Sequence, residues 1–139
     1  MFKLHPRLEA DTILLGHFEL SRCLLMNDAR YPWCILVPER DGISEIYQLS
    51  DKEQQQLQRE SSLLSQCLMA LFKADKMNIA ALGNLVPQLH LHHVARYRSD
   101  ESWPGPVWGV GVARLYTEAE QTERMQRIAQ ALPELQLPD

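Results

Sequence analysis

Residues 83–97 read GNLVPQLHLHHVARY. Three of the chain's five histidines, His90, His92 and His93, fall within four residues. Pro87 makes the entry extended, and from Gln88 to Arg96 the side chains alternate in character, which predicts a strand over 88–96. Successive strand side chains point to opposite faces. Gln88, His90, His92, Val94 and Arg96 then share one face, and Leu89, Leu91, His93 and Ala95 the other. The leucines mark the second face as the buried one, so the first is expected to meet solvent or a ligand. His93, on the leucine side, reads as a structural histidine.

The segments around this strand indicate its setting. Short apolar runs at 20–27 (LSRCLLMN) and 33–38 (WCILVP) read as strands, joined by DARYP, whose Asp and Pro favour a turn. The next strand is expected over 77–84, stopped by Gly83-Asn84. Between them, Ser50 and Glu53 form a capping box, and Leu57, Leu64, Leu68, Leu71 and Phe72 recur at helical spacing, predicting a helix over about 51–74. A second box, Thr117 with Glu120, opens a helix over 118–131 that Pro133 ends. Pro104 and Pro106 keep ESWPGPVWG out of a central ladder. Helices segregated from antiparallel strands predict an α+β fold with a helix packed on the sheet.

A chain of 139 residues with 45% hydrophobic content is expected to form one domain, 1–139. The net charge of −4 opposes non-specific binding to nucleic acid or an anionic membrane. Cys23, Cys34 and Cys67 are odd in number, far apart and set among apolar residues, which reads as buried free thiols in a reducing compartment. With neither a signal-peptide pattern nor an apolar run of membrane-spanning length, a cytoplasmic protein is expected.

Imidazole changes charge near neutral pH, and it serves as nucleophile, general base or metal ligand. Same-face neighbours on a strand lie about 6.5–7 Å apart. His90 and His92 therefore suit either two roles on one extended substrate or two ligands of one metal. A zinc site needs three or four ligands. Only His5 and His17 remain, and no cysteine or H-x₃-H pattern completes a set, so no metal or other cofactor is expected.

The stretch GNLVPQLHLHHVARY resembles the signature of the histidine triad (HIT) superfamily, His-φ-His-φ-His-φ-φ with φ apolar. Gln88 takes the first histidine position, His90 the second and His92 the third. LLMNDARYPWCILVPERDGISEIYQLS resembles the family's strand–turn–strand, and WPGPVWG the Trp/Pro segment that follows the triad in many bacterial members. The likeness covers roughly residues 20–112.

The resemblance implies a half-barrel α+β fold, usually a homodimer, and hydrolase or transferase chemistry on nucleotide phosphoanhydrides or phosphoramidates. It casts His90 as the nucleophile that attacks the α-phosphorus. His92 becomes the group that hydrogen-bonds the phosphoryl or bridging oxygen and supplies a proton or positive charge. Asp28 would accept from ribose hydroxyls, and Asn84 would donate to a phosphate oxygen or orient the nucleophile region. Arg96, on the histidine face by alternation, is expected either to meet distal phosphates or to be a surface residue at the strand end. Trp103 and Trp108 read as packing residues that also suit a base or a subunit seam.

Two departures stand out. Gln88 can donate and accept but cannot carry a proton charge, so only an orienting role survives there. Leu85-Val86-Pro87 offer no side-chain donor where many members carry a longer glycine-rich loop. These departures leave open a nucleotide-binding module with little or no catalysis. A metal-dependent hydrolase is the remaining alternative.

Overall fold

A computed structural model describes residues 1–139. The elements run α1 (Pro6–Asp11), β1 (Thr12–His17), β2 (Ser21–Met26), β3 (Trp33–Pro38), a 3₁₀ turn (Ile46–Gln48), α2 (Asp51–Phe72), β4 (Lys76–Ala80), β5 (Leu91–Arg96) and α3 (Glu118–Ala131). The five strands form one antiparallel sheet in the order β1-β2-β3-β5-β4. This is the α+β fold expected from the segregated helices. Both capping boxes form, Ser50 with Glu53 and Thr117 with Glu120.

The leucine face of the sheet carries the larger core. Cys23, Leu25, Cys34, Leu36 and Leu91 pack there against Leu57, Leu64 and Leu68 of α2 and Ile128 of α3. Cys23 and Cys34 are fully buried, and Cys67 is half-buried; all three are free thiols.

The opposite face is also covered, which corrects the expectation that it lies open. A second cluster joins Trp33, Ile35, Val37 and Val94 to Leu4 and Leu8 of the amino-terminal segment, with Val107 from the Trp/Pro segment. Every residue of β5 is therefore buried. Covering both faces removes apolar surface that a one-sided sheet leaves in water.

The sequence pattern missed α1 and β1. β1 pairs with β2, and a β-bulge shifts the register between Leu14 and Gly16. A Cβ on Gly16 would lie 2.4 Å from the carbonyl oxygen of Gln136. There the carboxy-terminal tail bridges the outer edge of β1, with His17 and Gln136 exchanging backbone hydrogen bonds of 2.7 and 2.8 Å.

β4 stops at Ala80, short of the expected Asn84, and β5 begins at Leu91 rather than Gln88. The reason lies in the partner strand. Leu91 pairs with Leu36, and β3 ends at Pro38, whose ring nitrogen cannot donate to a ladder. The Leu89 amide turns instead to the Ile43 carbonyl, at 2.9 Å. Gln88–His90 thus form an extended lead-in, held by loop contacts. No helix is long and apolar enough to cross a membrane.

Candidate functional site

The register places His92 opposite Ile35, next to the Trp33–Val94 pair. Each ring nitrogen of the two working-face histidines can be assigned from its partner. His90 Nδ1 lies 2.7 Å from the Gln88 carbonyl oxygen. A carbonyl only accepts, so Nδ1 carries hydrogen and Nε2 of neutral His90 keeps its lone pair. His92 Nδ1 lies 3.1 Å from Trp33 Nε1. Indole only donates, so this Nδ1 is bare and the ring's proton sits on Nε2. The two rings meet edge to face with centroids 4.9 Å apart. A free imidazole lone pair thus stands beside an imidazole N–H donor.

Trp33 and Trp108 enclose His92, with centroids 5.7 and 5.1 Å from its ring. Burial chiefly, with smaller contributions from His90 and His93, lowers the pKa of His92 from 6.5 to about 3. His92 is therefore a neutral donor at physiological pH. His93 is structural, as its face predicts. Its Nε2 meets the Ser61 hydroxyl of α2 at 2.8 Å and its Nδ1 the Leu91 carbonyl at 3.0 Å. Burial lowers its pKa to about 4.

Both depressed values carry one sign. Below about pH 6.5 the unfolded chain binds protons that the fold refuses, so stability falls as pH drops from there toward 3. Nitrogen-15 spectra should show His92 and His93 untitrated between pH 5 and 8, with His92 as the Nε2–H tautomer. A His92 titration midpoint above pH 5 would contradict this assignment.

Asp28 lines a cleft of about 500 Å³ with Trp33, Trp108, Asn27, Val110 and Leu115. Its carboxylate is already engaged. Arg30 Nε and Nη2 bind it at 2.8–3.2 Å, and the backbone amides of Arg30 and Arg114 add bonds at 3.1 and 3.4 Å. Burial pushes its pKa up, but the Arg30 bonds outweigh this and the net direction is down. Asp28 is thus an ionised part of the cleft wall whose acceptor sites are largely occupied. A ribose hydroxyl there must displace one of these donors.

The other two expected ligand residues differ in exposure. Asn84 is exposed beyond Gly83, whose φ of +73° makes the turn, and its side chain makes no hydrogen bond. Arg96, placed on the ligand face by alternation, is 1% exposed. Its guanidinium binds Asp100 at 2.9 and 3.0 Å, Asn78 Oδ1 at 2.8 Å and Ser102 Oγ at 3.1 Å. Tyr31 and Trp103 flank it, with ring centroids 5.8 and 5.6 Å away. These bonds engage the Arg96 guanidinium with the loop after β5. Trp108 packs on His92, whereas Trp103 packs on Arg96.

Gln88 is brought to the histidines, but only its backbone carbonyl faces them. Its side chain turns to the amino-terminal segment: Oε1 accepts from the His5 amide at 2.8 Å, and Nε2 donates to the Lys3 carbonyl at 2.9 Å. No three His, Cys, Asp or Glu side chains are gathered as a metal would need. His5 caps α1, and His17 pairs with Glu39 at 2.6 Å.

Trp33 and Arg30 escaped the reading of the sequence. Alternation within WCILVP does put Trp33 with Ile35 and Val37 on one face. Which strand lies beside that face is invisible until β3 and β5 pair. For Arg30, the short D-x-R spacing was the available signal.

Comparison with known proteins identifies the family. The HIT domain family profile matches residues 7–99. A histidine triad protein from Marinobacter aquaeolei VT8 is 54% identical, over 97% of this chain and 98% of that one, with a TM-score of 0.94. Histidine triad proteins from Sinorhizobium meliloti 1021 and Bradyrhizobium japonicum are 45% and 44% identical. They cover 95% and 94% of this chain and 98% of each relative, at TM-scores of 0.93 and 0.92. No curated protein matches. With the profile match over residues 7–99 and three structural relatives above 40% identity, the chain belongs to the HIT family, whose members are generally nucleotide-binding hydrolases or transferases.

Proposed function

We propose that the protein is a nucleotide hydrolase or nucleotidyl transferase acting through a covalent nucleotidyl–histidine intermediate on His90. The observation that carries this reading is the pairing of His90, whose Nε2 lone pair is left free by the Gln88 carbonyl, with the neutral Nε2–H donor of His92. Nε2 of His90 attacks the α-phosphorus. The bond from phosphorus to the bridging atom breaks, and the leaving group takes the electron pair. The nucleotidylated ring gains positive charge, which the Nδ1–H···O bond to the Gln88 carbonyl stabilises. His92 donates to a phosphoryl oxygen where negative charge builds. Water then cleaves the phosphorus–nitrogen bond and restores His90.

The state of His92 bears on substrate choice. A neutral imidazole is a poor proton source, and Gln88 cannot protonate a leaving amine. A phosphate leaving group departs as an anion without that proton. Phosphoanhydrides, dinucleoside polyphosphates among them, are therefore favoured over phosphoramidates. In the cleft, Asp28 is the candidate ribose acceptor, by exchange with Arg30.

A homodimer joined at β4 completes the proposal. β4 is an edge strand with an unpaired side, and Ile79, Leu82 and Leu85 are exposed on or just after it. Sedimentation equilibrium of the wild type and of Ile79→Lys tests it.

The decisive experiment incubates the protein with dinucleoside polyphosphates, adenosine phosphoramidates and aminoacyl adenylates. Alkaline denaturation follows, which preserves a phosphorus–nitrogen bond, with a search for a nucleotidyl adduct at His90 that later acid treatment releases. Turnover with such an adduct supports the proposal. A second reading, a nucleotide-binding module without catalysis, draws on the lack of a permanent positive charge at both Gln88 and His92. AMP binding by calorimetry, with no turnover of any panel member, would establish that reading instead.

A further inference from the structure

Gln88 occupies the place that the signature gives to its first histidine, yet its side chain leaves the site. Its amide bonds to the two backbone groups that flank Leu4: the Lys3 carbonyl at 2.9 Å and the His5 amide at 2.8 Å. Those groups point the same way, as along a strand edge, and a carboxamide presents its donor and acceptor side by side to match them. Imidazole nitrogens diverge from one ring, so histidine reaches at most one of the two. The segment held this way is well anchored. Leu4 and Leu8 sit in the core beneath the histidine face, and Phe2 lies over the Arg22 guanidinium at 5.1 Å.

The same residue grips the nucleophile. The Gln88 carbonyl takes the His90 Nδ1–H at 2.7 Å. One residue therefore links a segment more than 80 positions away to the ring that attacks phosphorus.

We propose that Gln88 is a positioning residue, and that the amino-terminal segment, residues 1–5, sets the His90 ring through it. The clamp stands on its hydrogen bonds alone; its effect on rate rests on the nucleotidyl-transfer reading above. The glutamine is then a coupled adaptation: the signature's first histidine is exchanged for a side chain that fastens the segment.

The clamp can be cut from either side. Gln88→Ala removes it at the strand. His5→Pro removes the amide donor, and proline suits the residue's φ of −56° and ψ of 135°. His5→Ala, which loses the same imidazole but keeps the amide, is the reference for His5→Pro. Hydrogen exchange of the His5 amide, read by NMR, should quicken at least about 10-fold in Gln88→Ala. Unchanged exchange overturns the clamp.

On turnover, Gln88→Ala should lower kcat about 10-fold relative to wild type, and His5→Pro about 10-fold relative to His5→Ala, with KM within about 2-fold, because a displaced nucleophile slows the step without weakening binding. The double variant should be no slower than the slower single one. Losses that multiply, or that fall on KM, overturn the relay. Gln88→His should be slowed as well; wild-type kcat in that variant also overturns it. If His90→Ala keeps full turnover, the hydrolase reading fails and the relay with it, while the exchange result still decides the clamp.

Discussion

Replacing His90 with alanine is expected to lower turnover by about 10,000-fold or more, while AMP binds within a few-fold of wild type. The imidazole supplies the only free lone pair at the junction of the two histidine rings, and alanine leaves nothing to attack phosphorus. Binding is expected to survive because the proposed nucleotide cleft beside Asp28 is walled by Trp33, Trp108 and Arg30, and His90 is not part of that wall. Substrate hydrolysis followed by chromatography, with calorimetric AMP titration of the same preparation, measures both halves. Full-rate turnover in the variant would remove His90 from the chemistry.

The second large effect concerns folding. Arg96→Ala should destabilise the protein by about 3–5 kcal/mol, because it leaves the Asp100 carboxylate buried without its partner. Side-chain exposure is 1% for Arg96 and 6% for Asp100, so little solvent screening weakens the pair. Burial raises the Asp100 pKa, but bonds from Arg96 and from the Tyr97 and Trp103 amides outweigh it and hold it at about 2. A depressed carboxylate stabilises the fold above its unfolded pKa, and that contribution is lost as pH falls from about 3.8 through 2. Urea denaturation at pH 7 and pH 3 measures both effects. The variant should lose less between those pH values than the wild type does, since its Asp100 no longer has a strongly depressed pKa. A loss under 1 kcal/mol at pH 7 would show that the pair does not hold the loop after β5.

These two arginine and histidine positions mark how far the chain can be read without its fold. Alternation along QLHLHHVAR correctly separated His90 and His92 from His93, because side-chain direction in a strand is a local property. The same alternation put Arg96 on the working face, and by direction it is there. What local pattern cannot supply is what stands opposite. Asp100, Asn78, Ser102, Tyr31 and Trp103 converge on that guanidinium only after β4 pairs with β5 and the following loop folds back. Asp28 followed the same course: its turn was legible from DARYP, but its saturation by Arg30 and Arg114 was not.

By itself, the sequence determined the α+β class, both capped helices, the strand at 33–38 and the pairing of His90 with His92 on one face. Each depends on neighbours within a few residues: capping boxes, helical or strand periodicity, a proline. Only the tertiary structure decided that both faces of the sheet are covered, that Trp33 sets the tautomer of His92, and that the Gln88 side chain turns to residues 3–5. The last two outcomes join positions 59 to 85 apart in the chain, and hydrogen-bond geometry between such positions exists only once strand order and register are set.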